Sequence, residues 1–469
     1  MKSYRIPTAI ASLAALSTSA LGCYINNYNN GSVGAATLYG SAAVDAMSLR
    51  LTSADPLDAG AIALDPFHGQ TIQRFDASFD YHVDGQGPIS TTRMIFALGN
   101  LPAGVIPDGA SVDGLAVDIA VGNVGGGTSN YVLVSVWLDG VAIVPVPEFG
   151  INIPTSGWVS DVPVRITLDD AGFLNVIIAG HAFVTDLTTG YAPTAGHRIG
   201  VSGQGGNGTV QTIDNVDVVT NRASITNTTT SATYYAIQTA IVDASDGDTI
   251  ELGEGNVCEW DITVDKPLTI RGQGMDETIV DGGFLGRIFY LNPVGAVDFE
   301  GFTIANGEFL GFTNSGGLTA QSGTDLAMRR VRFSGNNGAW GGAMSARGSV
   351  AVPTVIRAEA CEFLNNTAAN GGAIGVPISG DADITLIGCL FAGNQSTSYG
   401  AAIAATSTGN SVLIVNTTFV GNSSASTAVI VTTIGADEVA MVNCVVEGLP
   451  GTNALGTQDS TLSVQNTLL

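Results

Sequence analysis

The chain is 469 residues long, more than one ordinary core needs, with 45% apolar residues, 12% charged residues and 61 glycines. That composition excludes a disordered chain or a coiled coil and suits an all-β protein rich in tight turns. A formal net charge of −25 argues against nucleic acid and anionic membranes as partners, since both would be repelled, and leaves cations or neutral glycans.

The first element is a leader. "MKSYR" supplies positive charge, "IPTAIASLAALSTSALG" a short apolar run, and small residues precede Cys23. Residues 1–22 therefore read as a secretory signal peptide, too short to span a bilayer. "ALGC", Ala20 to Cys23, resembles a bacterial lipobox with its leucine displaced to Leu21. The resemblance implies a lipid anchor on Cys23 as the mature N-terminus; ordinary cleavage after Ala20 or Gly22 gives a freely secreted chain instead. In either case "YINNYNNGS" reads as a polar tether. No later segment offers eighteen uninterrupted apolar residues, so no transmembrane span is expected.

Residues 23–222 carry alternating strands separated by turn residues. "RFDASFDYHVDGQGP", "VDGLAVDIAVG", "YVLVSVWLDGVAI", "GWVSDVPVRITLDDAGFLNVIIAG" and "GHRIGVSGQGGNGTVQTIDNVDVV" follow one another. Short spacing with Asp-Gly and Gly-Gly turns predicts a two-sheet sandwich. The series resembles a concanavalin-type jelly roll, the fold of legume-type lectins and laminin G modules, through "VDGLAV" at Val112 to Val117 and the closing "RIGVSGQGG…IDNVDV". The resemblance implies that Asp113, the aspartate of the Asp-Gly pair, hydrogen-bonds sugar hydroxyls; the plainer reading is a structural turn aspartate. Lectins of that kind also hold Ca2+, and Asp118 is the nearest candidate ligand, without the neighbouring residues that complete such a cluster.

Residues 223–233 are polar and read as a linker. From 234 the chain changes character. Ala236, Ala240 and Ile241 have helical spacing, followed by "DGDTI". Further on, Phe333, Phe363, Phe391 and Phe419 recur at intervals of 30, 28 and 28 residues, with Val446 in the next place. Asn336, Asn366, Asn394 and Asn422 each stand three places after the phenylalanine. Apolar residues fill fixed columns upstream: Leu326, Ile356, Ile384, Val412 and Val439 in one, Met328, Ala358, Leu386, Ile414 and Met441 in another. Such a period predicts stacked coils whose strands pair in parallel. Three places before each phenylalanine stand Arg330, Ala360, Gly388, Asn416 and Asn443, of which three suit a tight corner.

The "FxxN" and "GGAI" motifs resemble repeats of polymorphic outer-membrane proteins and related right-handed parallel β-helices. Tyr234 to Gly283 resembles the opening turns of pectin-lyase-like β-helices, where a short amphipathic helix caps the coil. Residues 234–469 are therefore expected to form a right-handed parallel β-helix with an N-terminal capping helix, making the chain all-β. The paired glycines Gly341, Gly342, Gly371 and Gly372 sit where the coil turns and backbones crowd.

The chemistry in these columns is sparse. Cys361, Cys389 and Cys444 share one interior column, as stacked thiols or with Cys361 bridged to Cys389; parallel neighbours lie about 4.8 Å apart. All four histidines, His68, His82, His181 and His197, fall in the first half. The acid pairs and histidine signatures of polygalacturonases are missing from the second half. Arg329, Arg330 and Arg332 face Glu359 and Glu362 one coil on and read as cross-rung ion pairs with outward-pointing arginines. Sequons recur at Asn227, Asn394, Asn416 and Asn422, a by-product of turn composition. These features point to an exported, cell-surface or extracellular protein, non-catalytic, carbohydrate-binding or structural. The alternative is a polysaccharide lyase or glycoside hydrolase working on an acidic polysaccharide along the β-helix groove.

Overall fold

A computed structural model describes residues 23–468 except 27–35, 46–47, 54–58, 65–70, 86–91, 102–105, 107–108, 124–129, 145–150, 154–158, 206–208, 293–294, 312–313, 350–351, 378–380, 407–408, 426–428, 435–437, 448–452 and 459–460. The expected signal peptide at 1–22 and His68 lie outside the described residues. The chain divides into two compact units between Asn221 and Arg222.

The first unit is a sandwich of two antiparallel sheets. One runs in the order His181–Thr188, Phe173–Ile178, Val159–Leu168, Phe75–Gly85, Thr209–Thr220, Ser48–Arg50, Ala43–Asp45. The other runs Val141–Val144, Asn130–Leu138, Asp113–Asn123, Thr92–Asn100, Arg198–Gln204, Ala59–Leu64, Ala36–Gly40. Alternation places the core: Phe75, Ala77, Phe79, Tyr81 and Val83 are buried while Asp76, Ser78, Asp80 and His82 between them are only partly covered. Those rings pack on Phe96, Leu115 and Val117 of the facing sheet. The stretch after Cys23 is no tether at its start. Cys23–Asn26 is a strand, with Cys23 paired to Val219 and Tyr24 buried.

The second unit is a parallel β-solenoid of three sheets. Its registers match the sequence columns: Phe333 pairs with Phe363, Phe363 with Phe391, Phe391 with Phe419, and Phe419 with Val446. The rings stack at centroid distances of 5.3, 4.4 and 4.8 Å, within 14° of parallel. Beside them runs a ladder of buried asparagines. The Asn336 side chain and backbone N–H both donate to Asn366 Oδ1, at 3.0 Å each, and the pattern repeats through Asn394 to Asn422. Asn227, Asn394 and Asn422 are buried and hydrogen-bonded, so these sequons are structural. The corner column proves uniform: Arg330, Ala360, Gly388, Asn416 and Asn443 all take positive φ, from 50° to 63°. Packing of neighbouring coils imposes the left-handed bend even on Arg330 and Ala360, whose own preferences oppose it.

The supposed linker belongs to this unit. Ile225–Asn227 and Ala232–Tyr234 form an antiparallel pair, and the former also lies antiparallel to Thr249–Leu252 of the first coil. Asn227 is buried and donates to Asp248, which explains why so polar a stretch orders. The helix Ile237–Asp243 follows, burying Ile237, Ala240 and Ile241. It has no side-chain cap of its own; Glu259 supplies one, accepting from the Ile237 and Gln238 N–H groups at 2.6 and 2.8 Å. Lys266 closes the other end, donating to Val242 O and Ala244 O.

One buried acid makes a pH-dependent contribution. Asp281 is wholly enclosed; its Oδ1 accepts from Gly283 N and Asn306 Nδ2 at 2.9 and 3.0 Å, while Oδ2 has no partner. Burial pushes its pKa up to about 6. The folded value lies above the unfolded one, so this group's stabilisation is full below pH ~4 and is lost as pH rises through ~6, about 3 kcal/mol in all. Asp281→Asn is accordingly expected to gain about 3 kcal/mol relative to the parent between pH 4 and pH 7. Denaturant titrations at both pH values check this, and an unchanging difference refutes it.

Candidate functional site at the strand ends of the sandwich

Asp113 opens the strand Asp113–Asn123, opposite Asn100, and is exposed. Among the described residues its carboxylate has no hydrogen-bond or ion-pair partner. The next residue explains how it is presented. Gly114 has φ +139°, and a Cβ there would press on Leu98 O and lie 2.6 Å from Gly99 Cα. Only glycine lets the two strands approach so closely, and that approach fixes the backbone under Asp113. Asn100 and Asp113 form the last pair of these two antiparallel strands.

Other polar groups lie at the same strand ends. Asp139 and Gly140, with φ 48° and 76°, form a two-residue turn, and Asp139 N donates to Gly114 O at 2.9 Å. Tyr191 and His197, both largely buried, share a 2.9 Å hydrogen bond between the phenol oxygen and Nδ1. Burial, with the Asp139 charge adding to it, pushes the Tyr191 phenol up to about 12, so it remains a neutral hydroxyl. The turn Gly109–Ser111 lies over the outer face of the sheet, Gly109 so close to Trp137 that a Cβ would fall 2.6 Å from its Cγ. Asp113 is an exposed carboxylate at the strand ends, next to the Asp139–Gly140 turn, and is suited to accepting hydrogen bonds from hydroxyls; Trp137 lies on the opposite face of that sheet. The sequence singled out Asp113; it gave no sign of the Tyr191–His197 pair.

Asp118 lies elsewhere, buried in mid-sheet. Arg93 grips it with both Nε, at 3.2 Å, and Nη2. With both oxygens engaged, it is no cation ligand in this arrangement. Among the described residues no group of three or more His, Cys, Asp or Glu is placed to hold a metal. Cys23 is buried and its sulfur is in a disulfide, so a lipid thioether at that atom excludes the bond seen here. No helix among the described residues is long and apolar enough to cross a membrane.

In the solenoid, a groove of about 400 Å3 runs across the outer face of several coils, with Arg271, Asp298, Glu300, Arg329, Arg357 and Glu359 among its lining. Its charges hold one another: Arg271 and Arg330 on Glu300 at 3.3 and 2.6 Å, Arg329 on Glu359 at 3.7 Å, and Arg357 on Asp325. The expected cross-rung pairs are present. Arg332 differs from expectation, being largely covered between Asp276 and Glu362 rather than pointing into solvent. Cys361, Cys389 and Cys444 are free and buried, so the column is one of thiols and the Cys361–Cys389 bridge is not formed.

No protein-family model and no curated protein matches the sequence. Among solved structures, similarity is found to the carbohydrate recognition domain of Emp47p, at 15% identity over 44% of this chain and 98% of that one, with a TM-score of 0.32. The exoplasmic/lumenal domain of VIP36 in its Ca2+/Man-bound form matches at 17% identity over 42% of this chain and 88% of that one, TM-score 0.33. A lectin from Bauhinia forficata in complex with GalNAc matches at 17% identity over 42% and 97% of the two chains, TM-score 0.32.

Proposed function

We propose that the sandwich binds carbohydrate at the strand ends around Asp113, and that the solenoid is a non-catalytic scaffold in an exported, cell-surface or extracellular protein. The observation that carries this reading is the exposed, unpaired carboxylate of Asp113, held in place by the Gly99–Gly114 close approach. A carboxylate with free lone pairs accepts from two vicinal sugar hydroxyls, and charge-assisted bonds of that kind are the stronger ones. The leader-like sequence of residues 1–22 supports export, and anchoring through Cys23 requires its sulfur to leave the disulfide. Ca2+ is a cofactor to be tested rather than assumed.

Glycan-array binding by the full chain, with and without Ca2+, tests the reading. Asp113→Ala is expected to weaken binding about tenfold or more, through loss of ~1.5 to 3 kcal/mol of charge-assisted hydrogen bonding, with the fold unchanged. Absence of binding to every glycan, or an unaffected variant, removes it. The groove around Asp298 and Glu300 favours a second reading, cleavage of an acidic polysaccharide. Its arginines are spent in ion pairs, which weakens that case. New unsaturated or reducing ends after incubation with acidic polysaccharides would establish it.

A further inference from the structure

The solenoid carries a second cluster that neither reading uses. Among the described residues, nine arginines hold a carboxylate oxygen at 3.7 Å or less. Arg287 does not. Its guanidinium carbon lies 4.3 Å from the Tyr290 ring centroid and 5.1 Å from that of Phe309. Asp261 is 4.0 Å away, at the outer limit of an ion pair, and the buried Nε has no partner. The ring of Phe309 continues to Gly311, whose carbonyl accepts from Asn314 N; Asn314 Oδ1 in turn accepts from Arg347 Nη1 at 3.4 Å. Arg347 has no carboxylate within ion-pair range among the described residues. Arg287 rests on Phe309 and Arg347 reaches Asn314 of the same connection; burial disfavours the charged form of Arg287, Asp261 and Tyr290 oppose that, and Arg347 adds to it. In a chain of net charge −25, two neighbouring under-paired cations are conspicuous.

Their surroundings are apolar. Phe284, Leu285 and Leu310, beside Arg287 and Phe309 in the chain, are all exposed. Phe284 is held at φ 59°, a conformation costly for a bulky residue and often met at binding sites. Trp260 packs against Gly286, where a Cβ would fall 2.6 Å from its ring.

We propose that Arg287 and Arg347 form a carboxylate-binding site with an apolar rim, taking an organic acid whose charged group adjoins a ring. The carboxylate accepts from both guanidiniums and relieves their repulsion, while the ring covers the exposed Phe284 and Leu310 side chains. Asp261 is the competing anion, exposed and loosely held; nearby Glu308 is engaged by Asn337 at 3.0 Å.

Titration calorimetry of the full chain at constant ionic strength tests this, with benzoate as probe and phosphate and cyclohexanol as controls. Benzoate is expected to saturate a single site, phosphate to bind about tenfold more weakly and cyclohexanol not at all. Arg347→Gln is expected to weaken benzoate binding about tenfold without changing the melting temperature, and Arg287→Gln to abolish it. Asp113→Ala is expected to leave it intact. Tighter binding of glucuronate than benzoate supports the site and identifies a hydroxylated ring. Non-saturable benzoate binding, equal affinity for phosphate, or an unaffected Arg347→Gln overturns the proposal.

Discussion

Asn366→Ala is expected to cost on the order of 4 kcal/mol or more, among the largest losses available to a single substitution in this chain. Asn366 uses its side chain in both directions. Oδ1 accepts from Asn336 N and Asn336 Nδ2, while Nδ2 donates to Phe333 O and to Asn394 Oδ1, at 3.0 to 3.1 Å. Alanine removes all four bonds; Asn336 Nδ2 keeps Ile304 O and Asn394 Oδ1 keeps Asn366 N, while Asn336 N and Phe333 O lose this side chain as a partner, at about 1 to 3 kcal/mol each before relaxation. The stacked phenylalanines beside it resist collapse into the gap, because their spacing follows the coil repeat. Asn366→Asp retains the acceptor but places a carboxylate against Asn394 Oδ1, so it is expected to restore little at neutral pH. Denaturant unfolding monitored by circular dichroism measures both variants. A loss below about 1 kcal/mol for the alanine variant would mean that the ladder is ornamental.

Gly372→Ala is expected to destabilise by about 3 kcal/mol or more, although it adds a single methyl group. A Cβ at Gly372 would collide with Ala401 O and lie 2.7 Å from both the N and the O of Gln395. All three belong to the next coil's backbone, which is already committed: Gly372 N donates to Gly400 O, and Gln395 N to Asn366 O. The clash is therefore relieved only by prising two coils apart. Gly388→Ala is the matched control, since its Cβ would meet nothing within 4 Å and only its left-handed backbone, φ 63°, opposes the change. The control is expected to lose about 1 to 2 kcal/mol. Thermal melts that rank the two variants the other way would refute the crowding argument.

The columns of the repeat were legible because a parallel stack sets like on like. Leu326, Ile356, Ile384, Val412 and Val439 share an inward position only if successive coils are in register, and they are. The earlier coils were harder to read. Val297, Phe299 and Ile304 pair with Leu326, Met328 and Phe333, yet isoleucine replaces the phenylalanine there and Gly307 stands in the asparagine's place, its N–H donating to Asn336 Oδ1. Composition misled at 223–233, where threonines and asparagines serve strands because Asp248 is there to satisfy Asn227. Cys23–Asn26 was misread for a similar reason, its strand being decided by a partner nearly two hundred residues distant in sequence. Glu259 as the cap of a helix some twenty residues earlier, and Tyr191 with His197, follow no local pattern. The Asp-Gly pair of the sandwich was visible, since a glycine forced by close strands leaves a mark in the sequence; the arginines around Phe309 left none.

The antiparallel pair Ile225–Asn227 and Ala232–Tyr234 also governs what this molecule refuses to do. A parallel stack ends in an open rim of backbone donors and acceptors, to which another chain of the same kind could add itself. Here the rim at Thr249–Leu252 is met by a strand of opposite polarity, with a helix laid alongside. An incoming coil would find the wrong hydrogen-bond spacing and no continuing files of phenylalanine or asparagine. At this face the coil is sealed against fibre growth.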